Sequence, residues 1–303
     1  MDKTTENLKE RIDRLSGRFE KELQAFVNEQ SREDVANLHD AIAFALGTDT
    51  TDPAIRGKRI RPVLCLLSAQ ALGADLELAL PFALSIDMED GDVMRRGRDA
   101  VWVKYGVPHA INIGDFLLVC TNRALTHWGS PVLSPETRFQ LLGLSTSALD
   151  HTHIGQALEI NARGRRPISE AEYLRIVREK TGYYLAAPIQ GGAIVAGADQ
   201  TTIERIAEMA LFLGPLFQIV DDIIDLTAGK GREAIGSDIR EGKRSYLVAH
   251  ASGHATPKDR ERLFDILDKP REETTDEEIR EVAAVFEKYG SIEAGHKHSK
   301  TLY

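Results

Sequence analysis

Residues 217–243 read FQIVDDIIDLTAGKGREAIGSDIREGK, and the beginning of this stretch decides the fold and the site that we predict. Asp221, Asp222 and Asp225 lie in its apolar run, where helical residues three and four positions apart share a face. Clustered carboxylates among apolar neighbours repel one another and lose hydration unless a cation compensates their charge. The tight apolar flanks disfavour the alternative, a solvated acidic helix end. The stretch therefore predicts a helix that binds a cation.

The predicted cation is Mg²⁺, because carboxylates without Cys or His form a set of hard oxygen ligands. Mg²⁺ in proteins usually keeps several waters and shares phosphate oxygens with its substrate. The positive charges that a phosphate needs follow the aspartates, at Lys230, Arg232, Lys243 and Arg244. Asp238 lies between them, where it either orders the loop before Lys243 or joins the metal site. We expect a Mg²⁺ and phosphate site.

Composition narrows the class of protein. The chain has 303 residues, 42% hydrophobic and 28% charged, as expected of a globular protein with a sizeable core. Its net charge of −9 argues against a general nucleic-acid binder. Cys65 and Cys120 lie in apolar contexts and predict buried thiols in a reducing compartment. We find no signal peptide and no apolar run that inserts stably into a membrane, so we expect a cytoplasmic protein.

Helical periodicity extends through most of the chain, and no convincing alternation of period two accompanies it. The first segment carries one apolar stripe at spacings of four and three: Leu8, Ile12, Leu15, Phe19, Leu23 and Phe26. Ser169 predicts a helix N-cap, and Pro215 predicts a kink in the run that enters the aspartates. Other predicted helices cover residues 32–46, 110–126, 135–162, 245–251, 257–267 and 276–289. The fold class that we predict is all-α, a single large helical bundle.

Two further charged segments precede the aspartate helix. Residues 56–62, RGKRIRP, place several cations at a helix start, which predicts an anion site or a solvated basic turn. Residues 87–98, DMEDGDVMRRGR, place acidic side chains directly before three arginines. That second segment is either a self-neutralising surface patch or a place where metal and diphosphate bind side by side.

These motifs together resemble the trans-isoprenyl diphosphate synthases, the polyprenyl synthetase family that makes geranyl, farnesyl and geranylgeranyl diphosphates. The resemblance rests on GKRIRP, MEDGDVMRRGR, FQIVDDIID and GSDIREGK, which occur in the family's order. It implies one domain over residues 1–303, with the all-α isoprenoid synthase type I fold around a central cavity, and a homodimer. It also implies a Mg²⁺-dependent prenyltransferase that condenses isopentenyl diphosphate with an allylic diphosphate into a short- to medium-chain all-trans product.

The resemblance assigns roles by position. The metal ligands that it implies are Asp87, Asp90, Asp221, Asp222 and Asp225. Isopentenyl diphosphate is implied to bind at Lys58 and Arg61, and the two diphosphates at Arg95 and Arg96. The residues implied to line the allylic substrate and to take part in catalysis are Lys180, Thr181, Gln218 and Lys243.

The sequence departs from the family between Ile86 and Asp87. Family members usually carry two adjacent aspartates here, after a helical stretch with a histidine that helps to hold isopentenyl diphosphate. About eleven residues are missing from that pattern, which is close to three helical turns. Either the stretch is truly absent and the synthase is degenerate, or the full protein contains a segment that this sequence lacks. The undamaged remaining motifs favour the second explanation.

Two other functions compete with the active synthase. The damaged first motif fits a non-catalytic partner subunit that binds diphosphates or modulates a true synthase. A class I terpene cyclase also uses an aspartate-rich helix and Mg²⁺, but it has no need of the second diphosphate site implied by Lys58 and Arg61. Three histidine pairs have no Cys or acidic partner at zinc spacing, so we predict surface histidines: His151 and His153, His250 and His254, and His296 and His298.

Overall fold

The structure is a computed structural model, and it describes residues 7–30, 35–88, 99–129, 131–227 and 235–302. The described residues are 81% helical and contain no strand, so the all-α prediction is confirmed. The described residues form seventeen α-helices: α1 Leu8–Glu29, α2 Ala36–Leu46, α3 Pro53–Arg56, α4 Ile60–Ala71, α5 Leu76–Met88, α6 Val101–Tyr105, α7 Val107–Arg123, α8 Pro135–Ala162, α9 Glu170–Val177, α10 Tyr183–Val195, α11 Gln200–Leu211, α12 Leu213–Thr227, α13 Ser237–Arg240, α14 Tyr246–His254, α15 Pro257–Leu267, α16 Asp276–Lys288 and α17 Ser291–Leu302.

The chain divides into two compact units. Unit 1 comprises Met1–Ser147 and Ala187–Ala207, and unit 2 comprises Ala148–Ala186 and Glu208–Tyr303. Unit 1 holds the basic 56–62 turn and Asp87, whereas unit 2 holds the three aspartates of α12 and Lys243. The single domain over residues 1–303 stays a prediction from the resemblance.

The core of unit 1 forms around the apolar stripe of α1, because Leu15, Phe19 and Leu23 are completely buried. Glycines allow α10 to approach its neighbours within this unit. A Cβ at Gly191 would lie 2.0 Å from the Phe82 ring, and one at Gly192 would lie 2.5 Å from a backbone carbonyl of α4. The glycines of α10 therefore make it a close-packing surface. Both cysteines, Cys65 and Cys120, are free and buried, as expected.

The core of unit 2 forms around α12, whose Ile219 and Ile223 are buried against α17. A Cβ at Gly295 of α17 would lie 3.0 Å from Ile223, so glycine at this position allows the two helices to meet. The sequence did not predict α17. Its neighbours α14, α15 and α16 complete this core, which includes the buried rings of Phe264 and Phe286.

The helix boundaries test the local predictions. α8 and α15 have the predicted bounds, and Ser169 caps α9 in a capping box with Glu172. The predicted kink at Pro215 is wrong, because the run is two helices that part at Phe212. Pro215 lies in the first turn of α12, where its missing N–H removes no helical hydrogen bond. α2 begins at Ala36, and residues 31–34 before it lie outside the described part of the chain.

Candidate active site

Asp222 is the centre of a hydrogen-bond network in unit 2. Its carboxylate is 2% exposed and meets four donors that come from three parts of the chain. Oδ1 accepts from Lys243 Nζ at 2.7 Å and from Gln218 Nε2 at 3.1 Å. Oδ2 accepts from the Tyr173 hydroxyl at 2.8 Å and from the Tyr246 backbone N–H at 2.9 Å. Both oxygens of this buried carboxylate therefore bind protein donors, which fixes Lys243 and Gln218 beside it.

Lys243 stays charged within this network. Its ammonium also donates to Asp238 Oδ2 at 2.7 Å. Burial lowers the pKa of Lys243, but the carboxylates of Asp222 and Asp238 outweigh that effect and raise the pKa above its ordinary value. Burial and the charge of Asp222 raise the pKa of Tyr173 well above its ordinary value, so its hydroxyl remains a donor. Asp238 thus helps to hold the Lys243 ammonium in place.

Asp225 accepts hydrogen bonds from residues that follow the segment 228–234. Its carboxylate, 2% exposed, accepts from the Ser237 hydroxyl at 2.6 Å and from the Asp238 backbone N–H at 3.1 Å. Its carbonyl accepts from the Gly236 N–H at 2.9 Å. The side chain of Asp225 therefore holds the first residues of α13, and with them the approach to Lys243, against the end of α12.

Asp221 differs from its two neighbours because it is only half-buried. Gln218 Nε2 donates to its carboxylate at a long 3.5 Å. Beside it, exposed apolar side chains follow one face of α12, and their exposed fractions are 46%, 38% and 39% at Phe217, Val220 and Ile224. Large apolar groups on a helix normally face the core, so a solvated apolar stripe beside a carboxylate is a feature that a function should explain.

Lys180 and Thr181 lie in a π-helical turn, Arg178–Gly182, within unit 2. Lys180 pairs with Glu159 of α8 at 2.5 Å. A Cβ at Gly155 would lie 2.2 Å from the Lys180 backbone nitrogen, and a Cβ at Gly214 would lie 2.4 Å from Gly182 Cα. These two glycines therefore let α8 and α12 contact the turn directly. Single π-helical turns occur frequently at functional sites.

The basic turn of unit 1 is organised around Arg59, which is 8% exposed and has a left-handed φ of 46°. Its guanidinium donates to Glu20 at 2.8 Å, to Asp87 Oδ2 at 2.9 Å and to the Leu46 carbonyl at 2.6 Å. Asp87 is itself 8% exposed, so this is a buried ion pair between the turn and the end of α5. The inward arginine fixes the turn that carries the two residues implied to bind isopentenyl diphosphate.

Those two residues flank Arg59: Lys58 is exposed and Arg61 is half-buried. Three predicted site residues, Asp90, Arg95 and Arg96, lie outside the described residues, as do Lys230 and Arg232. The structure therefore brings Gln218, Asp221, Asp222, Asp225 and Lys243 together in unit 2, and places Lys58, Arg61 and Asp87 around Arg59 in unit 1.

A family model and related proteins show what this chain is similar to. A family model described as polyprenyl synthetase matches residues 50–286. The short chain isoprenyl diphosphate synthase of Methanothermobacter thermautotrophicus is 34% identical over 253 residues, covering 79% of this chain and 75% of that protein. The chain belongs to the polyprenyl synthetase family. It is therefore an enzyme of the prenyltransferase class, as the four motifs predict.

Solved polyprenyl synthetases share the fold of this family member. One from Streptomyces coelicolor A3(2) superposes with a TM-score of 0.84 at 27% identity, covering 98% of this chain and 91% of that one. A polyprenyl synthase from Caulobacter crescentus CB15, solved with calcium and isoprenyl diphosphate, gives 0.77 at 25% identity, with 98% and 90% covered. Within the described residues, no helix combines the length and hydropathy that crossing a bilayer requires.

The sequence did not reveal two residues that orient the side chains described above in this polyprenyl synthetase. Tyr173 donates to Asp222 from α9, yet in the sequence it is one more apolar position of an amphipathic helix. Glu20, on α1, orients Arg59 from a position 39 residues away. The one sequence feature that pointed to Glu20 is its position directly after Phe19 of the buried stripe. That feature is weak evidence, because charged residues next to a buried stripe are common.

Proposed function

We propose that this polyprenyl synthetase condenses isopentenyl diphosphate with an allylic diphosphate into a short- to medium-chain all-trans prenyl diphosphate. The observation that carries the proposal is the surface of α12. There the half-buried Asp221 lies between a fixed lysine network and the exposed apolar stripe Phe217, Val220 and Ile224. An allylic diphosphate has one highly charged end and one apolar tail, and this surface offers a match for each.

The carboxylates of α12 fit a divalent cation, and Mg²⁺ is the ion that we propose. Asp222 and Asp225 are buried and bind protein donors, whereas Asp221 is exposed enough to offer a hard oxygen to an ion that keeps its waters. We therefore assign Asp221 as the principal ligand, with Asp222 and Asp225 fixing its surroundings. When bound, Mg²⁺ supplies positive charge that stabilises the leaving diphosphate. The Caulobacter relative, solved with calcium and isoprenyl diphosphate, supports a divalent ion.

Lys243 supplies a fixed charge for the same diphosphate. The ammonium is held by Asp222 and Asp238 before substrate arrives, so little reorganisation is needed when negative charge develops. The allylic C–O bond breaks and its electron pair leaves with the diphosphate. The alkene of isopentenyl diphosphate then forms the new C–C bond, and a proton passes to the departing diphosphate. The Gln218 amide and the Thr181 hydroxyl present dipoles that stabilise a cation without trapping it.

Unit 1 provides the proposed site for isopentenyl diphosphate. Arg59 is buried and committed to Glu20 and Asp87, so the neighbouring Lys58 and Arg61 are the cations assigned to the diphosphate. The ion pair with Arg59 competes with metal binding at Asp87. The roles of Asp90, Arg95 and Arg96, the homodimer and a cytoplasmic location all stay predictions from the resemblance and the sequence.

One observation favours the second candidate, a non-catalytic partner subunit. α5 runs without a break through Ile86 and Asp87, where the family pattern has more residues. The alignment with the Methanothermobacter relative also has more positions than the number of residues of this chain that it covers. The relative therefore has residues at some aligned positions where this chain has none. A terpene cyclase, by contrast, leaves Lys58 and Arg61 without a role.

A turnover assay with the purified chain separates these functions. Labelled isopentenyl diphosphate is offered with Mg²⁺ and with dimethylallyl, geranyl or farnesyl diphosphate in turn, and the intact mass is compared with 33.5 kDa. Elongation by a chain of that mass supports the synthase, and the longest product gives its chain length. Absence of elongation at that mass favours the partner subunit, whereas consumption of farnesyl diphosphate without isopentenyl diphosphate identifies a cyclase.

A further inference from the structure

We propose that unit 2 carries a second metal site, formed by Glu170, His250 and His254, which takes one ion of the Zn²⁺ class. One ligand atom from each of these three side chains lies within 4.8 Å of the other two. None of the three belongs to the proposed diphosphate machinery, so the site does not depend on the proposed function. The sequence predicts surface histidines with no acidic partner at zinc spacing. His254 is exposed as predicted, whereas His250 is half-buried, and the acidic side chain beside them comes from α9, 80 residues earlier.

The two histidines lie one helical turn apart on α14 and face the same side. Their rings stack with centroids 4.1 Å apart and 13° between the planes. Neutral imidazole is the form that binds metals.

Each of the three side chains has a hydrogen-bond partner that limits its orientation. His254 Nδ1 lies 2.8 Å from the His250 carbonyl oxygen, which only accepts, so the neutral ring donates from Nδ1 and leaves a lone pair on Nε2. His250 Nδ1 lies 3.1 Å from the Ser291 hydroxyl. The Tyr246 hydroxyl donates to Glu170 at 3.1 Å. Metal-binding histidines and carboxylates usually have such outer partners, which fix the tautomer and the direction of the ligand.

The donor set selects the class of ion. Two imidazoles and one carboxylate are the ligands of many Zn²⁺ sites that keep a fourth position for water, whereas Mg²⁺ and Ca²⁺ prefer oxygen alone. Bonds of about 2.0–2.1 Å bring tetrahedral ligand atoms to within about 3.4 Å of one another, so side-chain rotations of ångström size close the site. Because His254 is exposed and the other two residues are half-buried, an ion reaches the site without opening the core.

The position of the site predicts its effect. Glu170 begins α9, His254 ends α14 and His250 lies one turn earlier in α14, so a bound ion ties these two helices together. The same helices carry Tyr173 and Tyr246, whose hydroxyl and backbone N–H both donate to Asp222. Binding should therefore stabilise unit 2 against unfolding and help to hold the two tyrosines that donate to Asp222.

The test is a calorimetric titration of Zn²⁺ into the tag-free, chelator-treated full chain in excess Mg²⁺, paired with thermal unfolding. We expect one ion per chain and a higher Tm with Zn²⁺. His254→Gln keeps the volume but removes a ligand, so it should weaken binding by at least the ~10–100-fold that loss of an outer partner costs. His153→Gln is the matched control, because His153 is also exposed and also binds the carbonyl four residues earlier, at 2.8 Å.

The outcomes separate cleanly. Loss of the Zn²⁺ site and of the Tm shift in His254→Gln and in Glu170→Gln, with both kept in His153→Gln, supports the proposal. Circular dichroism without metal checks that the variants fold. A wild-type chain that binds no Zn²⁺ overturns the proposal. Zn²⁺ binding that survives in His254→Gln also overturns it. Zn²⁺ binding that is lost in Asp221→Asn instead would assign the ion to the aspartate helix.

Discussion

Asp222 and Asp87 are both implied metal ligands and both buried aspartates, yet their surroundings differ. Asp222 in unit 2 accepts from a lysine, an amide, a phenol and a backbone N–H. Asp87 in unit 1 binds the guanidinium of Arg59, which also donates to Glu20 and Leu46. The first network fixes side chains that we assign to the substrate, whereas the second fixes a backbone turn. The residue type alone therefore predicts that a buried carboxylate has a role, but it does not predict which part of the molecule that carboxylate holds in place.

The largest effect is expected from removing the lysine of the first network. Lys243→Met leaves Asp222 and Asp238 without their shared cation and removes positive charge from the diphosphate. We expect turnover to fall by about 10²–10³-fold, the range typical for one preorganised electrostatic group. Lys288→Met is the control, because Lys288 also pairs with an aspartate but its side chain is 60% exposed. Comparable losses in the two variants would show that Lys243 has no special role.

Removing the arginine of the second network should act on stability first. Arg59→Met removes the cation that pairs with the buried Asp87 and the half-buried Glu20, and breaking a buried ion pair in this way typically costs about 3–5 kcal/mol. Urea unfolding measures this loss, and the loosened turn should also raise the KM for isopentenyl diphosphate more than it lowers kcat. Arg18→Met offers a control within unit 1, since Arg18 pairs with Glu22 and Glu77 but is 32% exposed. An unchanged KM would separate the Asp87 network from substrate binding.

A smaller effect should follow from removing one donor to Asp222. Tyr173→Phe deletes the hydroxyl that meets Oδ2 at 2.8 Å, and a hydrogen bond to a charged group contributes about 1.5–3 kcal/mol. Tyr289→Phe is the matched control, because its hydroxyl meets the half-buried Asp259 at 2.6 Å near the surface. The free energy of unfolding should fall more in Tyr173→Phe. Equal losses would mean that burial adds nothing to the Asp222 network.

Local signals predicted much of the fold, and remote contacts explain what they missed. Pro135 and Pro257 begin helices at the predicted residues because proline suits a first helical turn. The same property made the predicted kink at Pro215 wrong, since the helix breaks at Phe212, three residues before it. The aspartates and Lys243 were recognisable as a site, but Tyr173 reaches Asp222 from α9, and in unit 1 Glu20 reaches Arg59 from α1. α17 was missed because glycine at position 295, not an apolar side chain, makes its close contact with α12.

The central claim is that Asp221 binds the metal whereas Asp222 positions Lys243, and a Mg²⁺ titration of turnover tests it most directly. Asp221→Asn should need much more Mg²⁺ for half-maximal activity and should unfold at the wild-type temperature. Asp222→Asn should lower kcat at every Mg²⁺ concentration and should also lower the Tm. If excess Mg²⁺ restores Asp222→Asn but leaves the Mg²⁺ requirement of Asp221→Asn unchanged, the two roles are reversed and the account is contradicted.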